Sequence, residues 1–374
     1  MNGDSGRGKR VALVHDYLSQ DGGAERVLRA LHSLWPEAPL FTLFHDKKRA
    51  NPAFKDWDIR TTFFERLPGA VSHYRWFLPL MPTATEAHDL RDFDLVVSSS
   101  SAFAKGVLTR PGTVHVSYCH TPTRFLWSDA HSYVDDLNLP GPLKLALSPI
   151  LTSQRVWDRL AAERVDGFIA NSGTVRDRIR RYYGRDSTVV YPPVEVESFS
   201  LASHPGDYFL TGGRLVPYKR FDLVVQAFNK LGIPLKVFGD GPESARLKRL
   251  AGKNVSLVGR VSDMEKADLY SRCLAFIHPH VEDFGITAIE AMASGRPVLA
   301  FGDGGARETV VPGVTGEYLE HQTWENIAHH VVRFDQTRFS PERIRAHAMG
   351  FSAPVFREKM NRAIERYLPV ASSQ

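Results

Sequence analysis

Short β-branched and apolar runs alternate with helix-length amphipathic segments along almost all of the 374 residues. This order constrains the fold more than any other feature. Strands that run the same way need a crossover, and a helix is the usual one, so the alternation predicts parallel α/β sheets. Arg10–Val14 reads as a strand, and Glu25–Leu34 follows with Val27, Leu28, Leu31 and Leu34 at helical spacing. Further strands are predicted at Leu40–Phe44, Leu95–Ser98, Val114–Tyr118 and Gly167–Ala170. A helix is predicted over Thr174–Tyr183, with Ser172 as its N-cap.

The alternation stops at Tyr191–Ser203, where two prolines and few periodic positions predict a linker. It then restarts with strands at Tyr208–Leu210, Leu235–Phe238, Val255–Val258, Leu274–Ile277 and Val298–Ala300. Ser352–Leu368 reads as a last helix. At about 150 residues per domain the length also asks for more than one core. The expectation is therefore two doubly wound units in succession. Such sheets bind ligands outside the carboxyl ends of their strands, which predicts a ligand cleft between the halves.

Composition narrows the class. With 43% apolar residues, general disorder is excluded. A membrane span needs about 20 consecutive apolar residues. The best candidate, Trp76–Thr85, has ten uncharged residues and two prolines. Met1–Arg10 is polar and Val11–Val14 is too short for a signal peptide core, so a cytoplasmic protein is expected. Cys119 and Cys273 cannot form a disulfide scaffold and suit a reducing compartment. The net charge of +5 fits an anionic ligand or an anionic membrane surface and is too small to argue for nucleic acid.

The strongest chemical signal is the run from Glu282 to Glu290, Glu-Asp-Phe-Gly-Ile-Thr-Ala-Ile-Glu, after a predicted strand. A helix starting near Gly285 would turn free backbone N–H groups and a positive end toward an anion. Glu282 then lies in the loop and Glu290 in the first turns; a solvated acid before a surface helix is the plainer alternative. The second signal, Gly212-Gly213-Arg214-Leu215 with Lys219, supplies a close-approach turn and two cations for a diphosphate, or else a turn with solvated bases. Gly239-Asp240-Gly241-Pro242 is a strand-to-helix turn.

In the first half, Asp21-Gly22-Gly23-Ala24-Glu25 joins strand to helix and could offer backbone N–H groups to a phosphate or hydroxyl. It is not a dinucleotide fingerprint, so a nicotinamide site is poorly supported. His120 ends the strand before Thr121–Trp127 and points to the expected ligand edge, although a lone histidine is more often a structural hydrogen-bonder. Metal signals are weak. Asp92-Phe93-Asp94 sits at the amino end of its strand, and His278 and His280 have no third ligand at recognisable spacing.

Taken together, Glu282–Glu290, the Gly-Arg-Leu run with Lys219, and Phe238–Pro242 resemble the retaining glycosyltransferases of family 4, over nearly the whole chain. The opening Val14–Leu18 with Gly22–Arg26, and Tyr118–Trp127, look like the WbaZ-like bacterial mannosyltransferases. The resemblance implies a GT-B fold: an acceptor domain over 1–195, a nucleotide-sugar domain over 196–351, and a helix at 352–368 that packs back on the first domain. It implies transfer of a hexose with retained configuration, most simply mannose from GDP-mannose, to a lipid-linked saccharide of O-antigen or exopolysaccharide assembly. No cofactor and no metal are expected. UDP-sugar transfer and nucleotide-sugar epimerisation on the same fold are the alternatives.

By position, Arg214 and Lys219 would bind the donor diphosphate. The backbone at Phe284, Gly285, Ile286 and Thr287 would meet phosphate and sugar hydroxyls. Glu290 would hold the ribose and Glu282 the transferred sugar, with His120 near the reacting carbon. Gly22, Gly23 and Gly213 would line the donor. One departure is Asp283, where many members carry glycine. Acceptors of this kind are lipid-linked, and His73–Met81 with the arginines at 176, 178, 180, 181 and 185 suits peripheral contact with an anionic inner membrane face.

Overall fold

The computed structural model describes residues 8–130, 133–134, 141–202 and 206–369. The chain divides into a first unit, Met1–Tyr191 with Phe356–Gln374, and a second, Pro192–Val355. The first division falls within the predicted linker.

The first unit is built on a seven-stranded sheet in the order β3-β2-β1-β4-β5-β6-β7. Its strands are β1 Val11–His15, β2 Leu40–Thr42, β3 Ile59–Thr61, β4 Leu95–Ser100, β5 Val114–Cys119, β6 Gly167–Ala170 and β7 Ser187–Val189. Every neighbouring pair is parallel. β1 and β4 are buried at every residue, as central strands covered on both faces must be, and their leading residues, Val11–Val14 and Leu95–Val97, are unbroken apolar runs. β3 and β7 escaped the sequence reading. They are three-residue edge strands, Ile-Arg-Thr and Ser-Thr-Val, too short and polar to carry a pattern.

Three helices of this unit flank the carboxyl ends of the strands or follow from them. α1 is Gly23–His32, α2 is Gly141–Glu163 and α3 is Gly173–Tyr183. Ser172 caps α3 as predicted, its hydroxyl accepting from Val175 N–H, and α3 ends at Gly184 with φ 63°. The last helix of the chain, Ala353–Glu365, places Phe356, Met360, Ala363 and Ile364 in one buried cluster with Leu13, Leu28, Val97 and Tyr118. The C-terminal segment therefore completes the core of the first unit. A side chain at Gly167 would collide with the Tyr367 ring.

The second unit repeats the plan with six parallel strands in the order β10-β9-β8-β11-β12-β13. They are β8 Phe209–Gly212, β9 Leu235–Phe238, β10 Val255–Gly259, β11 Phe276–His278, β12 Val298–Phe301 and β13 Gly316–Leu319. Its helices include α4 Phe221–Leu231, α5 Asp263–Arg272 and α6 Ile286–Ala293.

One carboxylate ties the carboxyl ends of β1 and β4 together. Asp16 is buried beyond β1, and its two oxygens accept four backbone N–H bonds from Ser101, Ala102, Phe103 and Ala104, at 2.6–3.0 Å. Bonds to a charged acceptor are worth about twice neutral ones. The Asp16→Asn variant turns an amide N–H₂ toward two of those donors. We expect it to lower the unfolding free energy by about 3 kcal/mol, read from denaturant midpoints.

Buried histidines make the stability of this unit pH-dependent. Burial pushes His88 down to about 4 and His115 down to about 3. Both stay neutral in the native state while the unfolded chain protonates them near pH 6.5. Their contribution is complete above about pH 6.5 and is lost as pH falls toward the native values. Stability should drop by about 2 kcal/mol per pH unit between pH 6 and 5. A urea midpoint that stays level across this window would show that the native state holds these imidazoles charged.

Candidate functional site

In the first unit the chemistry gathers where β1, β4 and β5 end. His15 is the last residue of β1, Ser99 lies near the end of β4, and His120 follows β5. The His15 Nδ1 atom lies 3.2 Å from both the carbonyl and the hydroxyl of Ser99. The Ser99 hydroxyl lies 2.8 Å from His120 Nε2. His15 Nε2 faces the buried carboxylate of Glu25 on α1 at 3.9 Å. Burial raises the Glu25 carboxyl, but the contact with His15 outweighs this and holds it below the usual range. Burial, helped by nearby His15, pushes His120 down to about 3, so it is a neutral imidazole at physiological pH.

The turn before α1 differs from expectation in one respect. The Gly22 N–H is not open to a ligand, because Glu25 Oε2 accepts it at 2.8 Å as part of a capping box. Gly23 opens the helix, where amide hydrogens have no intrahelical acceptor. The segment after His120 is anchored by a residue that the sequence reading missed. Asp158, buried on α2, accepts from Lys105 Nζ, Thr123 Oγ1, Trp127 Nε1 and Tyr183 Oη at 2.5–2.9 Å. No local spacing links these five residues, which are scattered along the chain. His120 itself is fixed from behind, its carbonyl accepting from Asn171 Nδ2 at 2.8 Å.

In the second unit Lys219 and Glu282 meet. Lys219 Nζ lies 2.6 Å from Glu282 Oε1. Gly213, at φ 133°, adopts a backbone conformation that favours glycine, and a Cβ there would stand in ordinary contact, 3.5 Å, with Nζ. Burial pushes the Glu282 carboxyl up, but the approach of His280 and the charge of Lys219 overcome this and hold it well below the usual range. His280 Nε2 lies 3.3 Å from Glu282 Oε1, though off-line for a hydrogen bond. Burial pushes both His278 and His280 down; nearby His280 adds to this at His278, whereas the Glu282 carboxylate partly opposes it at His280. Arg220, immediately after Lys219, has φ 52°, the only left-handed non-glycine backbone among the described residues.

The structure corrects one expectation here. His278, His280 and Glu282 bring ligand atoms within 4.8 Å of one another, so a third metal-type ligand does exist. No sequence spacing marks this third ligand, because Glu282 lies in the loop beyond β11, outside any strand periodicity. The Lys219 ammonium already stands against this carboxylate, and a divalent ion would have to displace it.

α6 starts as predicted. Gly285 is its N-cap at φ 91°, a conformation that strains other residues, and a Cβ there would touch His278 Nε2 at 3.4 Å. Ile286 and Thr287 form the first turn, whose amide hydrogens point out of the helix start. Thr287 Oγ1 is buried without a hydrogen-bond partner. Phe284 is buried against Phe351, at 5.6 Å between ring centroids. Glu290 lies inside α6, where it pairs with Lys266 Nζ at 3.0 Å and accepts from Tyr270 Oη at 3.3 Å, both from α5. Arg214 is exposed.

Two other motifs resolve differently. Asp92 and Asp94 face Arg10, and Asp94 also faces Arg110, at the amino end of β4. A hollow of about 520 Å³ lined by Arg10, Trp35, Glu37 and Asp92 lies at that same edge, away from the residues gathered at the carboxyl ends. Among the arginines of and just beyond α3, Arg178 donates to Thr121, Arg180 to Asp186, Arg176 to Asp177 and Arg185 to the carbonyls of Ala162 and Val165. These bonds inside the unit give four of the five a structural task. Trp76, by contrast, is 69% exposed. No described helix is long and apolar enough to cross a membrane.

The profile described as Glycosyltransferase Family 4 matches residues 21–198, and that of Glycosyl transferases group 1 matches 176–349. A GDP-mannose-dependent alpha-mannosyltransferase of Mycolicibacterium smegmatis is 30% identical over 45% of this chain and 48% of its own. The O-antigen chain mannosyltransferase RfbU of Salmonella typhimurium is 30% identical over 38% of this chain and 43% of its own. The matches thus span about half the length of these curated relatives. The crystal structure of Anabaena HepE with UDP and glucose superimposes with a TM-score of 0.69 at 17% identity, over 95% of this chain and 99% of that one.

The Lys219–Glu282 pair generates a stability prediction. Removing one member of a buried pair strands the other. Lys219→Met should cost about 3 kcal/mol, and adding Glu282→Gln should recover a large part of it, in a double-mutant cycle of denaturant midpoints.

Proposed function

The chain belongs to the family 4 glycosyltransferases and has their GT-B fold of two Rossmann-like units; on that premise we propose that it moves a hexose from a nucleotide-sugar donor to a saccharide acceptor with retained configuration. The observation that carries the reading is the Lys219–Glu282 pair beside the glycine-opened start of α6. An ammonium, a positive helix end and an acceptor carboxylate are what a sugar diphosphate requires.

In this proposal Lys219 and the exposed Arg214 neutralise the diphosphate. Negative charge grows on that group as the glycosidic bond breaks, so cations fixed beforehand favour the transition state over the ground state. The first-turn amides of α6 at Ile286 and Thr287 add donors without a side-chain entropy cost. Glu290, held by Lys266 and Tyr270, presents carboxylate oxygens to the ribose hydroxyls. Glu282, ionised by its neighbours, accepts from hydroxyls of the transferred sugar. His120, being neutral, offers an uncharged ring to a sugar or phosphate oxygen at the edge of the first unit. No protein base is assigned, because the leaving phosphate oxygen can take the acceptor's proton. The ammonium of Lys219 supplies fixed positive charge at the carboxylate, which supports a reaction without metal.

GDP-mannose is the proposed donor, on the strength of the mannosyltransferase relatives, with a lipid-linked saccharide as acceptor. A UDP-sugar is the second reading, favoured by the UDP and glucose in the HepE structure. The exposed Trp76, with Arg75 beside it, supports peripheral contact with an anionic membrane.

Purified protein with a panel of GDP- and UDP-sugars, a lipid-linked acceptor and EDTA should transfer one hexose, read by mass spectrometry. An absolute need for a divalent ion would overturn the metal-free reading. Lys219→Ala should lower kcat/KM for the donor roughly 100- to 1000-fold, while Glu290→Ala should act mainly by raising the donor KM.

A further inference from the structure

We propose that His15 and Ser99 form a positioning chain that fixes the hydrogen of His120 on Nδ1, so that this ring offers a donor to an oxygen acceptor at the edge of the first unit. The Ser99 carbonyl can only accept, so the His15 Nδ1 atom that meets it at 3.2 Å carries a hydrogen. That same N–H also faces the Ser99 hydroxyl oxygen at 3.2 Å, which therefore accepts on this side. The hydroxyl hydrogen is left with one acceptor among the described residues, His120 Nε2 at 2.8 Å. A nitrogen that accepts there bears a lone pair, and a neutral imidazole then has its hydrogen on the other nitrogen.

The His15 Nε2 atom lies 3.9 Å from the Glu25 carboxylate, which is itself held by the Gly22 N–H at 2.8 Å. His15, Ser99 and Glu25 are all almost fully buried, so water does not compete for these contacts. His120 is the partly exposed end of the chain, and its Nδ1 has no hydrogen-bond partner among the described residues. The geometry thus runs from a buried imidazole N–H to an outward one. The ligand class it fits is an oxygen acceptor, a sugar hydroxyl or a phosphate oxygen. Only the identity of that ligand rests on the proposed glycosyl transfer; the tautomer does not.

The test separates the two. The full chain labelled with ¹⁵N-histidine is recorded at pH 7.5 by two-bond ¹H–¹⁵N correlation, with His120→Gln used to assign the ring. We expect a protonated-nitrogen shift at Nδ1 and a lone-pair shift at Nε2, whether or not any donor turns over. Ser99→Ala should move His120 toward the Nε2–H form and lower kcat roughly 10-fold with little change in KM. Ser99→Thr, which keeps the hydroxyl, should restore both. A role confined to packing would lower the melting temperature and leave the tautomer as it was. An Nε2–H ring in the unaltered protein, or an unchanged tautomer in folded Ser99→Ala, overturns the proposal. Should Ser99→Ala fail to fold, the spectrum of the unaltered protein decides alone.

Discussion

A parallel sheet forces every strand to open toward the same edge, and both units obey this constraint. Each carboxyl end feeds a turn into a helix or loop, so residues far apart in sequence arrive side by side. His15, Ser99 and His120 meet because β1, β4 and β5 are adjacent and in register, with His15 paired to Ser99 and Ser99 to Tyr118. Glu282 lies beyond β11 and Lys219 beyond β8, and those two strands are also neighbours. The sheet thus determines which side chains can meet, and the turns determine how they are held.

Holding them costs buried charge, and the protein meets that cost locally. Asp16 has four amide hydrogens, and Asp158 has an ammonium, two hydroxyls and an indole. Both carboxylates have their oxygens engaged inside the first unit. Their work is to fix the backbone after β4 and after His120. A buried acid with all its partners satisfied rigidifies a site, whereas an unsatisfied one would destabilise it by several kcal/mol.

Much of this was legible in the sequence. The central strands, α6 with its glycine start, and the pairing of a glycine turn with Lys219 all carry local patterns. β3, β7 and β13 do not, being short and partly polar at or near sheet edges. The hubs at Asp16 and Asp158 were invisible for a different reason. Their partners lie 25 to 88 residues away, and no spacing rule spans such distances. Gly22 shows the converse error. Its motif suggested a free amide, but Glu25, three residues on, takes it within the same turn.

The two edges use opposite electrostatics. In the first unit His120 is neutral and oriented through a hydroxyl. In the second, a lysine and a glutamate sit as a pair at 2.6 Å. At an effective dielectric constant of about 20, unit charges 4 Å apart attract by about 4 kcal/mol, so the carboxylate holds the Lys219 ammonium in place before any ligand arrives. A diphosphate brings more negative charge than Glu282 holds, and it can draw the ammonium without first ordering a free side chain. The entropy of fixing a lysine, about 2 kcal/mol, is then already met in the unliganded protein. On the proposed function, the resident carboxylate would act as a placeholder, freed for sugar hydroxyls when a phosphate takes its cation. Pre-organisation of this kind lowers the barrier, because the charges need not rearrange while the bond is breaking.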